Sequence, residues 1–397
     1  MIERTAYMDR LYGFKDKQLI KIVTGVRRCG KSTLLEMFRD RLKQEGVTND
    51  HILFLNFEDY ALEELTDPKA LHAYVLAHMA PEGKTYVFLD EIQMVKDFPR
   101  VVDSLFLRKN LDLYLTGSNA CLLSHEIATM LSGRYVELAM LPLSFKEVVD
   151  HRGERTDLMR KYTDYLRYGS FPYALELDGS QQKIDDYLAG IYHAVLIKDI
   201  VARLGTSEVM LVESLVRFLF DNVGSLFSTK RIADTLTSEG RKISAPSVEK
   251  YLDALCDSYI LYRASRYDVK GRQHLKINEK IYACDMGLRA WLIGRRASDT
   301  GHVLENIVFL ELRRRGFDVY VGRLDAWEVD FVALRNGTPE YFQVSASIRD
   351  EAVFEREVRP LEKIHDHYPK WILHLDEDAP TDHNGIRCMN ALDFLLG

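Results

Sequence analysis

The sequence predicts an α/β chain of several modules, led by a parallel sheet with helices on both faces, and three observations carry that expectation. Short, almost wholly apolar runs alternate with helix-periodic segments through the first third of the chain, as in a parallel sheet covered on both sides. Further on, the pattern changes to three short helices and a strand pair, and then to one amphipathic helix followed by three strands. The length of 397 residues also exceeds what one hydrophobic core commonly spans, roughly 100–200 residues.

Composition narrows the classes. With 47% hydrophobic and 28% charged residues, 10 Pro and 23 Gly, collagen-like and extensively disordered chains are excluded. The 53 basic against 60 acidic residues leave a net charge of −7, so any polyanion site must be local. Five cysteines (Cys29, Cys121, Cys256, Cys284, Cys388) lie scattered and never as C-x-x-C, which argues against a disulfide framework and a zinc site. The first residues are charged from Glu3 onward, and no run approaches the ~18 apolar residues of a membrane span. A soluble, cytoplasmic protein without a membrane partner is expected.

The first strand, Leu19 to Thr24, runs into Gly25-Val26-Arg27-Arg28-Cys29-Gly30-Lys31-Ser32, and Leu34, Leu35, Phe38 and Leu42 then recur at helical spacing. This is G-x-x-x-x-G-K-[ST] with a strand before it and a helix after it, a phosphate-binding loop. Gly25 and Gly30 let the backbone curl so that amides and the helix N-terminus face negative charge. Lys31 reaches the β- and γ-phosphates, and Ser32 holds Mg²⁺. The nucleotide-binding set is therefore residues 25–32 with Thr33. Cys29, inside the loop, is expected to be a tolerated small residue without redox function.

A second strand, His51 to Phe57, ends in Glu58-Asp59, read as a solvated strand end. A third, from Tyr86, ends in Asp90-Glu91, the pattern of a Walker B strand: Asp90 supports the magnesium, and Glu91 orients and deprotonates the attacking water. A fourth, Leu111 to Thr116, leads into Gly117-Ser118-Asn119, where Asn119 or Ser118 can reach a γ-phosphate, against the plainer alternative of a turn. A helix is expected near 122–131. Arg134, before a fifth strand at Tyr135 to Met140, is a candidate phosphate contact in its own subunit or a neighbour's.

Residues 25–32, Leu89-Asp-Glu-Ile-Gln93, Thr116-Gly-Ser-Asn-Ala120, Leu131-Ser-Gly-Arg134 and Pro142-Leu-Ser-Phe145 together resemble the prokaryotic AAA-type P-loop ATPases that carry a C-terminal domain of unknown function. The resemblance continues through Tyr168-Gly-Ser-Phe-Pro172, Lys198-Asp-Ile200 with Arg203, and Asp285-Met-Gly-Leu288. It implies an ATPase with an AAA-like core at 1–150, with Asn119 as its sensor and an arginine, Arg134 being the candidate, completing a neighbour's site in a homo-oligomer.

Residues 151–208 read as a helical lid. Residues 209–285 follow a winged-helix layout, with helices at Leu211–Asp221, Thr229–Leu236 and Ser247–Asp257 and a two-stranded wing. Residues 226–282 hold 11 Lys plus Arg and 7 Asp plus Glu, a local net of +4. That favours DNA contact through Lys250 on the third helix and Arg263, Arg266, Lys270, Arg272 and Lys276 on the wing. Winged helices also serve as protein docking modules, and Glu249, Asp253 and Asp257 share the helix with Lys250.

Residues 286–397 resemble the PD-(D/E)xK nuclease fold: an amphipathic helix at Leu304–Arg313, then strands at Asp318–Val321, Glu328–Ala333 and Tyr341–Ser345. The resemblance puts Glu305, Asp330 and Gln343 at metal-ligand positions and Ser345 where a lysine belongs. A neutral Gln weakens a divalent site, and Ser offers no fixed charge. A degenerate nuclease-like fold is expected, with a working nuclease that uses Arg349 or another base as the alternative. A helix at Leu361–Pro369 and a strand from Lys370 follow, with His365 and His367 on the surface. The expected activity is Mg²⁺-dependent ATP hydrolysis controlling the winged helix. Its rivals are an ATP-gated nuclease and a nucleotide switch that binds a protein and no DNA.

Overall fold

A computed structural model describes residues 2–117, 130–177, 179–201, 204, 208–294 and 299–397. The chain divides into two compact units, one of Met1–Pro142 with Asp257–Tyr259 and one of Leu143–Cys256 with Ile260–Gly397.

In the first unit five parallel strands, β1 (Ile20–Thr24), β2 (Ile52–Asn56), β3 (Thr85–Asp90), β4 (Leu111–Thr116) and β5 (Tyr135–Ala139), stand in the order β2-β3-β4-β1-β5. Every residue of β1, β3 and β4 is buried, the physical reason those segments are mostly apolar; the buried charges within β1 and β4, Lys21 and Asp112, pair with each other. Helices Lys31–Gln44, Pro68–Ala77 and Phe98–Phe106 lie where helical spacing or turn signals allow; Asp67 caps the second with Pro68 as its first residue. The order has one consequence for chemistry. Strand β4 lies between the strand that feeds the phosphate loop and the strand that ends in Asp90, so its C-terminal residue, Thr116, comes between the two.

The second unit is built on one nine-stranded sheet. Its strands are β6 (Leu226–Phe227), β7 (Leu261–Asp268), β8 (Gln273–Ala283), β9 (Asp318–Leu324), β10 (Trp327–Arg335), β11 (Thr338–Val344), β12 (Lys370–His374), β13 (Asp382–His383) and β14 (Ile386–Asn390), in the order β13-β14-β12-β11-β10-β9-β7-β8-β6. Strands expected of a wing and strands expected of the C-terminal fold thus belong to a single sheet. The joint is the parallel pairing of β7 with β9, Arg266 opposite Val321 and Asp268 opposite Arg323, and the sheet has no break between 285 and 286. The three helices before the hairpin, Val209–Asp221, Thr229–Ser238 and Ala245–Asp257, fall where periodicity places them.

One helix differs from expectation. It runs from Glu351 to Glu362, and Leu361–Pro369 is not a helix of its own. The Asp350 side chain accepts from Val353 N at 3.1 Å and starts the helix early, and Pro360 lies in its last turn. His365 and His367 are exposed, as expected.

Several resemblance motifs prove to be joints of this unit. Ser144 and Glu147 form a reciprocal capping box that starts helix Phe145–His151. Leu143 N donates to Ser170 O at 2.8 Å, and Ser170 N and Oγ both donate to Asp285 Oδ2, at 2.5 and 2.6 Å. The other oxygen, Asp285 Oδ1, accepts from Leu288 N at 2.6 Å and caps helix Met286–Ile293. Pro142-Leu-Ser-Phe145, Gly169-Ser170 and Asp285-Met-Gly287 therefore meet as one buried staple.

Candidate nucleotide site and the acid cluster of the second unit

The phosphate loop follows from its glycines. Gly25 has φ of 141° and Arg28 of 69°, and a Cβ on Gly25 would stand 2.2 Å from Met140 O, so this position admits only glycine. Gly30 is the N-cap of helix Lys31–Gln44 and offers no capping side chain, which leaves the first-turn amides aimed at the loop. Lys31 is buried, its Nζ donating to Gly25 O at 3.1 Å and Val26 O at 3.3 Å. Arg27 pairs with Glu58 at 3.5 Å, and Glu58 is exposed, as a solvated strand end should be. Asp59 caps the turn at Tyr60–Thr66.

Around the acids, Ser32 Oγ donates to Asp90 Oδ1 at 3.0 Å, and Thr116 Oγ1 donates to the same oxygen. Glu91 N donates to Thr116 Oγ1 at 2.9 Å. Burial pushes the Asp90 carboxyl above its ordinary range against the pull of those two hydroxyls, and its Oδ2 is buried with no hydrogen-bond partner. A buried carboxylate oxygen left open beside a serine hydroxyl suits a divalent cation, so the residues present fit Mg²⁺ here. Glu91 sits at φ 53°, and its carboxylate accepts from Gln93 Nε2.

The structure therefore brings Lys31, Ser32, Asp90 and Glu91 together. It does not bring Arg134 to them. The Arg134 carbonyl accepts from Ile20 N at 2.8 Å, at the N-terminal end of β1, whereas the loop leaves from the opposite end of that strand. Its guanidinium pairs with Asp103 and lies over Phe106. Contact with phosphate in its own subunit is thereby ruled out. Ser118, Asn119, Cys121, most of the expected helix at 122–131, and Arg203 lie outside the described residues, as do the side chains of Lys198 and Lys276.

Three residues beside the loop went unassigned on sequence. Thr116 ties Asp90 to the Glu91 backbone. Buried Arg4 donates to Cys29 O at 3.1 Å and to Leu141 O at 2.7 Å, bracing the loop from behind. Tyr259 donates to Glu137 Oε1 at 3.2 Å, and that oxygen also accepts from Thr24 Oγ1 at 2.6 Å, one residue before Gly25. Only the Thr116 signal was within reach, a hydroxyl at the end of a strand beside the loop.

In the second unit, Glu305, Asp330 and Gln343 do converge, around a lysine. Lys280 Nζ, from β8, lies 2.8 Å from Glu305 Oε1, 2.9 Å from Glu328 Oε1 and 3.9 Å from Asp330 Oδ1. Tyr282 Oη donates to Glu305 Oε1 at 2.6 Å. Burial alone would lower Lys280, but Glu305, Asp330 and Glu328 hold it well above its ordinary value. Burial would likewise raise Glu305, and Lys280 overrides it. Burial reinforced by Glu305 pushes Asp330 up to about 8 against the opposing charge of Lys280. Gln343 is engaged at both ends, accepting from Asp330 N at 2.7 Å and donating to Glu357 at 2.9 Å. Among the described residues no group of three His, Cys, Asp or Glu is arranged to hold a metal ion. These residues do not fit a divalent ion. Ser345 donates to Ser347 O at 2.9 Å, and Arg349 pairs with Asp376 at 3.4 Å, away from the cluster's acids.

Three of the five described basic residues expected to meet DNA are engaged within the fold. Arg263 pairs with Glu249 at 2.7 Å, Asp253 at 3.0 Å and Glu279 at 3.6 Å; Arg266 pairs with Glu328 at 3.6 Å; and Lys270 pairs with Asp325. Only Lys250 and Arg272 of that set are exposed without such an ion pair in the described structure. The four described cysteines are free, with Cys29 buried and its thiol pushed up by burial. Among the described residues no helix is long and apolar enough to cross a membrane.

Comparison with known proteins agrees with this geometry. Residues 17–149 match the AAA domain family, and residues 159–299 match a domain of unknown function, DUF8612. The chain is 39% identical to an uncharacterized protein of Haemophilus influenzae across 100% of its own length and 99% of the relative's. It is 29% identical to the uncharacterized protein MJ1544 of Methanocaldococcus jannaschii, over 87% of this chain and 78% of that one. The Walker-type ATPase paby2304 of Pyrococcus abyssi shares the fold with a TM-score of 0.50 at 15% identity, over 74% of this chain and 96% of that chain. Residues 17–149 are an AAA domain carrying a P-loop, and the chain belongs, along its whole length, to one family with the Haemophilus influenzae protein.

Proposed function

We propose that the chain binds ATP with Mg²⁺ and hydrolyses it, and that nucleotide state acts on the second unit. The observation that carries this is the convergence of Ser32 and Thr116 on one oxygen of Asp90 while the other, buried, has no partner. Mg²⁺ held by Ser32 and Asp90 would neutralise charge on the β- and γ-phosphates. The amides of residues 25–33 cradle those phosphates, and Lys31 exchanges its two loop carbonyls for phosphate oxygens. Glu91 takes the proton from the attacking water, with Thr116 fixing where its backbone turns. Asn119 is the γ-phosphate sensor, and Arg134 serves a neighbouring copy in a homo-oligomer. The test is phosphate release from ATP. Chelation by EDTA should abolish it, and Thr116→Val should slow turnover by about 10–100-fold with ATP binding retained and Thr116→Ser restoring the rate. Turnover indifferent to both would overturn the assignment.

DNA is the proposed partner of the second unit, through a winged helix. Support comes from the local charge of +4, the helix-helix-helix-hairpin order, and the exposure of Lys250 and Arg272. The ion pairs of Arg263, Arg266 and Lys270 engage three of the expected contacts within the fold, so binding should be weak and salt-sensitive. Duplex retardation at low salt should fall in the Lys250→Ala/Arg272→Ala variant, with a shallower salt slope by about two ions. No retardation at any salt would make the second unit a protein-docking module instead.

A further inference from the structure

We infer that the ammonium of Lys280 occupies the cation position of the acid cluster in the second unit, so that the cluster is a lysine-centred clamp and not a metal centre. The nuclease-like resemblance puts Glu305, Asp330 and Gln343 at the metal-ligand positions of a weakened site; the geometry gives the cation position to a lysine.

Three carboxylates from two elements, Glu305 on helix Thr300–Arg314 and Glu328 and Asp330 on β10, surround one ammonium from β8 at 2.8, 2.9 and 3.9 Å. The lysine side chain is only 4% exposed and Glu305 8%, so this charge is enclosed and not a surface visitor. A divalent ion in the same place would need oxygens at roughly 2.0–2.6 Å and would meet a buried positive charge at close range. The second oxygen of each acid has its own neighbour. Glu305 Oε2 stands 3.9 Å from His302 Nδ1, Asp330 Oδ2 takes Val344 N at 2.9 Å, and Arg266 stands 3.6 Å from Glu328 Oε2. Gln343, the remaining expected ligand, is used at both its oxygen and its nitrogen.

Electrostatically the ammonium does what a divalent ion would do, compensating carboxylates that burial would otherwise penalise. Chemically it differs. A lysine has no open coordination position and cannot lower the pKa of a bound water, so phosphodiester hydrolysis by metal activation is not available to this cluster. Because β8 belongs to the hairpin and Glu305 and β10 to the segment after residue 300, the lysine also pins those parts of the sheet together.

The experiment uses the full chain without nucleotide and Mn²⁺ as probe, with binding followed by calorimetry and by melting temperature. Wild type and Asp330→Asn should respond alike to millimolar Mn²⁺ and to EDTA. Lys280→Met should melt lower, take up one additional Mn²⁺ and regain melting temperature with it, and Asp330→Asn in that background should abolish the uptake. Wild-type Mn²⁺ binding that Asp330→Asn removes would overturn the inference by making the cluster a native metal site. A folded Lys280→Met protein that gains no Mn²⁺ would overturn it too. If Lys280→Met does not fold, the wild-type and Asp330→Asn comparison decides alone. No arm depends on ATP turnover, so failure here is separable from failure of the ATPase assignment.

Discussion

Lys31→Ala should abolish ATP binding, whereas Glu91→Gln should bind ATP normally and hydrolyse it about 10²–10⁴-fold more slowly. The two differ because the side chains meet different parts of the reaction. Lys31 supplies charge-assisted hydrogen bonds, each of about 1.5–3 kcal/mol, to phosphate oxygens present in the ground state, so its loss is a loss of affinity. Glu91 acts on the water, and glutamine preserves its size and its contact with Gln93 while removing the basic oxygen. Lys31 also donates to Gly25 O and Val26 O, so the alanine variant should lose about 1–3 kcal/mol of stability as well. Melting temperature separates that loss from the loss of binding, which is read by titration with labelled ATP. Undiminished turnover in both variants would remove Lys31 and Glu91 from the mechanism.

The second large effect is expected far from nucleotide. Gly287→Ala should unfold or severely destabilise the second unit, because the new Cβ would stand 2.4 Å from both the N and Cα of Gly169. Neither neighbour can move as a side chain can. Gly169 itself sits at φ 81°, and its amide neighbour Ser170 is bonded to Asp285. Overpacking of this kind commonly costs about 1–3 kcal/mol where side chains can yield, and a backbone-on-backbone clash should exceed that. Gly190→Ala is the control. It lies within helix Gln181–His193 with nothing within 4 Å of the added carbon, and it should raise stability by about 0.5–1 kcal/mol. Thermal melts of the two variants should move in opposite directions. Equal behaviour would mean that the Gly169–Gly287 approach does not hold the fold.

Much of the first unit was legible because its information is local. The strand, loop and helix around Lys31 lie within some two dozen residues, and phosphate binding is done by backbone amides whose geometry two glycines and a helix start dictate. The acid pair at Asp90-Glu91 was legible for a similar reason, since a buried strand with charges at its end is an uncommon pattern. The own-subunit alternative for Arg134 failed because sequence adjacency to a strand does not say which end of the sheet that residue occupies. The basic stretch was legible only as a charge count, which cannot tell that Arg263 faces three acids.

Lys280 marks the same boundary in the C-terminal half. Its helix and strands were foreseeable from hydrophobic period, and the meeting of Glu305, Asp330 and Gln343 was implied by the resemblance to the PD-(D/E)xK nuclease fold. That a lysine of β8 would fill the centre was not, because it depends on β7 pairing with β9 and so carrying the hairpin into the larger sheet. The amino-acid sequence by itself determined the phosphate loop, the acidic strand end and the order of elements, since these rest on hydrogen bonding and burial among near neighbours. Only the tertiary structure decided that Thr116 bridges Asp90 and Glu91, that the motifs at 142–145, 169–170 and 285–287 form one staple, and that an ammonium stands among the acids which the nuclease-like resemblance puts at metal-ligand positions. Each of those depends on strand order and register, which bring together residues far apart in the chain whose types alone carry no signal.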